Sequence, residues 1–297
     1  PGRTPVLGPS LGLLAGDPAD GTKQVRRNAE DVHHIAGSAD PAIVYEGGER
    51  AGTAIHVLYL PEEIESWGDG IALERTRVAL DWLEHVFGPY AYPQVTNLRR
   101  LDSGGTEFPM LVMNASASQS LILHEVGHIW AHGILGNNEW YEGWLDEGMS
   151  SFQTAWFFEK EGRGREQWLQ SELRVLDLEL QGKSEPVTFV AQDYSEYAIY
   201  SRMIYTKGSL ILRMLRDMGG EEKMLEILRT YYERNRFKHV DQEAFQAVAE
   251  EVLRTDLDWF FGQWLHATGV VDYSLESVRV QEIGGMWETT VRIARNG

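Results

Sequence analysis

His124, Glu125 and His128 stand in the order His-Glu-x-x-His, and Glu147 follows inside Trp144-Leu145-Asp146-Glu147-Gly148. Residues four apart on a helix share a face, so the two imidazoles can meet one metal ion while Glu125 points at the space beside it. Such a pair suits zinc. A third ligand from a separate segment, for which Glu147 is the candidate, would leave one position for water, the mark of a catalytic rather than a structural site. Glu125 would then serve as general base.

These residues need a helix to present them, and the stretch from Ser116 to Leu135 supplies one. Leu121, Ile122, Ile129 and Ile134 recur at helical spacing, Ser116-x-x-Gln119 reads as a capping box, and Gly136 as a stop. A second helix over 144–161 carries Glu147 in its first turn; an antiparallel arrangement of the two would lay that carboxylate over the histidine pair. His132 lies one turn beyond His128, about 5–6 Å along the axis, too far for the same tetrahedral site. It is expected to pack or to support. Ala131 and Ile134 stand where the longer His-Glu-x-x-His-x-x-Gly-x-x-His pattern needs Gly and His, which excludes that subclass. Asp146 and Glu139 are candidates to orient imidazoles. No ligand role is expected for His33 or His34.

The chain has 297 residues, 43% hydrophobic and 24% charged, as in an ordered globular protein. Its formal net charge of −18 disfavours nucleic acid and anionic membrane surfaces, which it would repel. Arg26-Arg27 and Arg99-Arg100 are too isolated to reverse that. The absence of cysteine removes disulfides, thiolate ligands and cysteine nucleophiles, so any metal must be held by His, Asp, Glu or water. Neither a signal peptide nor an apolar run long enough to span a membrane is visible, and compartment and oligomeric state are not written in the sequence. Pro1 at the start and a strand-like end lead us to expect a piece of a longer protein, whose parent could be extracytoplasmic or membrane-attached.

Residues 1–24, rich in Gly, Pro and Asp, read as a loop or lead-in. Strands are expected at 42–46 and 53–60, joined through Gly47-Gly48-Glu49-Arg50, and at 95–101 and 110–113. A helix from Asp69 to Phe87 intervenes. Beyond Ser116 helices are expected at 164–181, 201–218, 221–234, 241–254 and 256–267, then a hairpin around Gly284-Gly285. Strands first and helices after indicate an α+β fold, a small sheet followed by a mostly helical lobe.

Four segments together resemble the gluzincin aminopeptidase family, the group that includes aminopeptidase N and the leukotriene hydrolases. His124-Glu125-Val126-Gly127-His128, eighteen intervening residues and Glu147 reproduce its metal spacing. Trp144-Leu145-Asp146-Glu147-Gly148 is similar to Trp-Leu-Asn-Glu-Gly, with Asp146 for Asn. Gly104-Gly105-Thr106-Glu107-Phe108 resembles the exopeptidase segment Gly-Ala-Met-Glu-Asn, departing at Thr106 and Phe108. Tyr205-Thr206-Lys207-Gly208 resembles Tyr-Glu-Lys-Gly.

The resemblance implies a thermolysin-like zinc peptidase domain over 41–272. Residues 1–40 would be the end of an N-terminal β-domain or a lead-in, and 273–297 the first strands of a C-terminal β-sandwich. It implies one zinc per chain on His124, His128 and Glu147, Glu125 as base and Tyr205 as the phenol that stabilises the oxyanion. Tyr200 is implied as an auxiliary tyrosine. Glu107, approached across Gly104 and Gly105, would bind the free amine of a peptide. The implied reaction is release of N-terminal residues. Endopeptidase action, another hydrolysis on the same fold and a non-catalytic scaffold are the rival readings.

Overall fold

In a computed structural model of the chain, residues 29–270 and 272–296 are described in full. Of the preceding residues only the backbone of the short strands Val6–Leu7, Leu13–Ala15 and Gln24–Arg26 is described. The loop reading of residues 1–24 therefore lies largely outside the described residues.

A five-stranded sheet comes early in the fully described part of the chain. Its strands are β1 (Val44–Arg50), β2 (Thr53–Tyr59), β3 (Gln94–Arg99), β4 (Gly105–Phe108) and β5 (Leu111–Asn114), in the spatial order β1-β2-β3-β5-β4. The edge pairs are antiparallel, and β2, β3 and β5 run parallel. The first hairpin differs from expectation. Its turn is Ala51-Gly52, both at positive φ as a two-residue type I′ turn requires, while Gly47 and Gly48 lie inside β1. A β-carbon on Gly48 would sit 2.8 Å from the side chain of Leu73, so this glycine is there for close packing and not for a bend.

Helix α1 (Ile71–Val86) crosses from β2 to β3 and buries Ala72, Ala79, Leu80, Leu83 and Val86. Helix α2 (Gln119–His128) carries the His-Glu-x-x-His motif and packs between α1 and α3 (Met149–Lys160), with its start against β4 and β5. The cap of α2 is Ser118 and not Ser116: the Ser118 hydroxyl accepts from the Leu121 backbone N–H at 3.3 Å. Ile122, Leu123 and Val126 on α2 are fully buried, each worth roughly 1.5–3 kcal/mol of burial. That apolar contact offsets the cost of burying the polar residues that share the helix.

The helical lobe follows with α4 (Gly164–Leu180), α5 (Gly208–Gly219), α6 (Glu221–Asn235) and α7 (Gln242–Leu253). Four of its helical runs continue through or begin with a wider turn bonded i→i+5: Ile129–Ile134, Trp144–Gly148, Arg202–Lys207 and Gly262–His266. Such π turns concentrate at functional sites. The helix expected from Trp144 begins earlier, at Glu139, so Glu147 lies in a π turn and not in a first helical turn. Likewise the run expected from 201 starts at Tyr197.

The last hairpin is as expected. Strands β6 (Tyr273–Ile283) and β7 (Met286–Arg295) pair antiparallel around Gly284-Gly285, and nearly all their side chains are exposed. Among the described residues no helix is long and apolar enough to cross a membrane.

Candidate metal centre

Three donor atoms converge at the end of α2. His124 Nε2 lies 3.0 Å from Glu147 Oε2, His128 Nε2 lies 3.1 Å from His124 Nε2, and His128 Nε2 lies 3.2 Å from Glu147 Oε2. Ligand atoms bonded tetrahedrally to zinc at 2.0–2.1 Å are about 3.3 Å apart, so the triangle has the size of one face of such a site.

The rest of the pocket supports the fit. The carboxyl groups of Glu107, Glu125, Asp146 and Glu147 crowd around His124 and His128, and their mutual repulsion adds to burial in raising Glu107 and Glu125. A buried cluster of this kind calls for a cation. Glu125 Oε2 is buried and has no hydrogen-bond partner, which suits an atom that must meet a water or a substrate. The pocket also has no room for a side chain at Gly105, whose β-carbon would fall 2.1 Å from the Glu125 carboxyl carbon.

The supporting contacts begin at Asp146, which is 1% exposed. Its carboxylate accepts from His128 Nδ1, leaving Nε2 to face the convergence point. Burial alone would lower the His128 pKa, but the Asp146 and Glu147 carboxylates outweigh it and raise it well above the usual value. Burial would raise Glu147, yet His128 and the hydrogen bonds from both imidazoles hold it far below the carboxylate range. Burial pushes Glu125 up to about 7, opposed by His128.

Glu147 reaches this point because two glycines meet. Gly148, after Glu147, and Gly208, after Lys207, are in contact: a β-carbon on Gly148 would lie 3.2 Å from Gly208 Cα, and one on Gly208 would lie 3.2 Å from Gly148 Cα. The Trp144–Gly148 and Arg202–Lys207 turns can therefore cross closely. Tyr205 Oη consequently donates to Glu147 Oε1 at 2.5 Å, and the Tyr205 ring lies nearly parallel to His124, 14° between planes. Burial and the Glu147 charge raise the Tyr205 pKa far above the phenol range, so it keeps its proton.

Glu107 on β4 also comes to the pocket, with a carboxylate oxygen within 4.8 Å of donor atoms on His128 and Asp146. Burial raises its pKa to about 7; His128 opposes this, and the Asp146, Glu147 and Glu125 carboxylates add to it. Gly104 takes a positive φ of 66° with open space around it, turning the chain into β4. Tyr200 lies edge-on to Tyr205 with ring centres 6.3 Å apart; burial, then Glu147, moves its pKa to about 12.

Glu139 is placed elsewhere, and His132 packs. Glu139 lies 3.8 Å from His132 Nε2 and holds neither imidazole of the triangle. His132 is buried and faces Asn137, with His33 edge-on against it at 4.6 Å between ring centres. No local pattern signals the Gly148–Gly208 contact. Each glycine closes a quoted motif, but nothing local says that they touch.

Residues 110–264, more than half of the chain, match the peptidase family M1 domain. The chain belongs to peptidase family M1. Among relatives in this family, human glutamyl aminopeptidase is 24% identical over 280 residues, covering 84% of this chain and 27% of that protein. The leukotriene A-4 hydrolase of Xenopus laevis is 28% identical over 222 residues, covering 66% of this chain and 36% of the relative. The alanine/arginine aminopeptidase of Saccharomyces cerevisiae is 32% identical over 126 residues, 40% of this chain and 14% of that enzyme. The chain thus spans only a minor part of the length of these family M1 proteins. An M1 zinc metallopeptidase from Deinococcus radiodurans superposes with a TM-score of 0.74 at 18% identity, covering 90% of this chain and 62% of that one. At that identity the fold is what is shared: a mixed α+β architecture of small sheet and helices.

Proposed function

We propose that this chain is the catalytic portion of a zinc-dependent peptidase that removes N-terminal residues from peptides. The observation that carries the reading is the triangle of His124 Nε2, His128 Nε2 and Glu147 Oε2 beside an unpartnered buried carboxylate oxygen of Glu125. The thermolysin-like assignment and the catalytic unit at 41–272 belong to the same proposal. It is supported by family membership and by the aminopeptidase names of the relatives; one structure of the Deinococcus enzyme is described as bound to a Tyr-Ser-Ala substrate.

His124, His128 and Glu147 would hold the zinc ion, with Asp146 fixing the His128 tautomer. When bound, zinc lowers the pKa of water from 15.7 to about 7 and polarises a carbonyl. Glu125 Oε2 takes the proton from the attacking water as the new C–O bond forms at the scissile carbonyl carbon. The same oxygen returns that proton to the leaving amine nitrogen as the C–N bond breaks. Tyr205 Oη, freed from Glu147 Oε1, donates to the carbonyl oxygen as negative charge builds there.

Glu107 supplies the preference for a free N-terminus. An ammonium group placed among Glu107, Glu125 and Glu147 meets the negative charge that otherwise pushes Glu107 towards its neutral form. Gly105, unable to carry a side chain beside Glu125, leaves the peptide backbone room along β4.

The test compares an unblocked peptide with its N-acetylated copy, on protein stripped of metal and on protein restored with zinc. Cleavage of the unblocked peptide alone, dependent on zinc, is the expected result. Equal cleavage of both peptides would establish an endopeptidase in place of the proposed specificity. Cleavage of neither by the zinc-loaded chain would sink the peptidase reading for this chain.

A further inference from the structure

A second set of imidazoles lies outside the catalytic pocket. His33, His34 and His132 each offer a ring nitrogen, and the three nitrogens lie within 4.8 Å of one another. His33 and His34 sit on an exposed segment before the sheet; His132 is buried in the π turn that follows α2. They line a cleft of about 490 Å³ together with Glu139 and His239.

The hydrogen bonds fix which nitrogens carry lone pairs. The Asn137 amide nitrogen donates to the Ala131 carbonyl at 2.6 Å, so its oxygen is the atom facing His132. That oxygen lies 3.2 Å from His132 Nδ1 and can only accept. His132 therefore carries a proton on Nδ1, and Nε2 is the ring nitrogen left to meet a ligand. Glu139 Oε2 stands 3.8 Å from this Nε2, near enough for both atoms to face one ion. His33 Nε2 lies 3.2 Å from the His132 carbonyl oxygen and must donate to it, which leaves the His33 lone pair on Nδ1. His33 Nδ1 in turn faces His34 Nδ1 at 3.2 Å, a spacing typical of two donors on one ion.

We propose that His33, His34 and His132, with Glu139 beside them, form a second site for a divalent transition-metal ion, separate from the catalytic triangle. Neutral imidazoles with a carboxylate neighbour suit Zn²⁺, Ni²⁺ or Cu²⁺, whereas Mg²⁺ and Ca²⁺ prefer oxygen. A buried imidazole oriented through Asn137 is the fixed ligand. The two exposed imidazoles close onto it. An ion here ties the segment around residues 33–34 to the end of the motif helix, linking parts of the chain 99 positions apart. Asp146, which orients His128, has a carboxylate oxygen within 4.8 Å of donor atoms on His132 and Glu139, so the two sites share a neighbour but no ligand.

The experiment uses untagged protein stripped with chelator, titrated with Zn²⁺ and analysed for bound metal after gel filtration. The parent is expected to retain two equivalents, His33→Ala/His34→Ala one, and Glu147→Ala also one. The melting temperature of the parent should rise with the second equivalent, and that rise should be missing in the double variant. His34→Ala alone, which changes one exposed side chain, should weaken the second equivalent at least tenfold and guards against misfolding of the double variant. A parent that stops at one equivalent, or a double variant that still binds two, would overturn the site.

Discussion

His124 and His128 sit one turn apart on a buried helix with a carboxylate on either side, whereas His33, His34 and His132 come from segments 99 residues apart and stand half in solvent. In the first group each donor is aimed before any ion arrives: Asp146 fixes His128, Glu147 touches both imidazoles, and Tyr205 holds Glu147. In the second, His132 is held by Asn137 and His33 by the His132 carbonyl, while both His33 and His34 stay exposed. Ligand type alone therefore does not make a reactive site. What distinguishes the first group is the buried, unpartnered Glu125 carboxylate and the Tyr205 phenol packed around it; at the second, among the described residues, the nearest carboxylate is the partly exposed Glu139.

Removal of the proposed base should separate the two most sharply. Glu125→Gln is expected to lower peptide turnover by about 10²–10⁴-fold with zinc content unchanged, measured by steady-state kinetics beside metal analysis; loss of zinc would contradict the assigned role. Tyr205→Phe should cost about 2.7–4 kcal/mol of barrier, read as a fall in kcat with metal still bound.

A subtler change tests preorganisation. Gly105→Ala drives a methyl group into the buried Glu125 carboxyl, which must move to admit it, so kcat should fall by about 10²-fold. An unchanged kcat would mean that the base needs no fixed position. Asp146→Asn takes away the carboxylate behind His128 and makes the first group more like the second; zinc affinity should weaken by about 10–100-fold in a competition titration.

The fold was legible wherever local patterning was strong. The helix of α1 and the terminal hairpin β6–β7 follow from periodicity and from turn residues, and the structure has both. The hairpin turn at 47–50 was misplaced because Gly-Gly has two uses. Here Gly48 admits the Leu73 side chain, and the bend falls on Ala51-Gly52. Ser116 and Ser118 are both acceptable caps, and the choice between them depends on which hydroxyl the turn aims at Leu121.

By itself the sequence determined the chemistry available: two imidazoles a helical turn apart, a base between them, acids and a phenol in later segments, and no thiol anywhere. Residue type and helical period are local properties, so they can be read along the chain. Only the tertiary structure decided which of nine histidines meet. The Gly148–Gly208 crossing brings Tyr205 onto Glu147, and the path of residues 33–34 carries two exposed imidazoles to His132. Both are contacts between distant segments, set by packing and not by spacing.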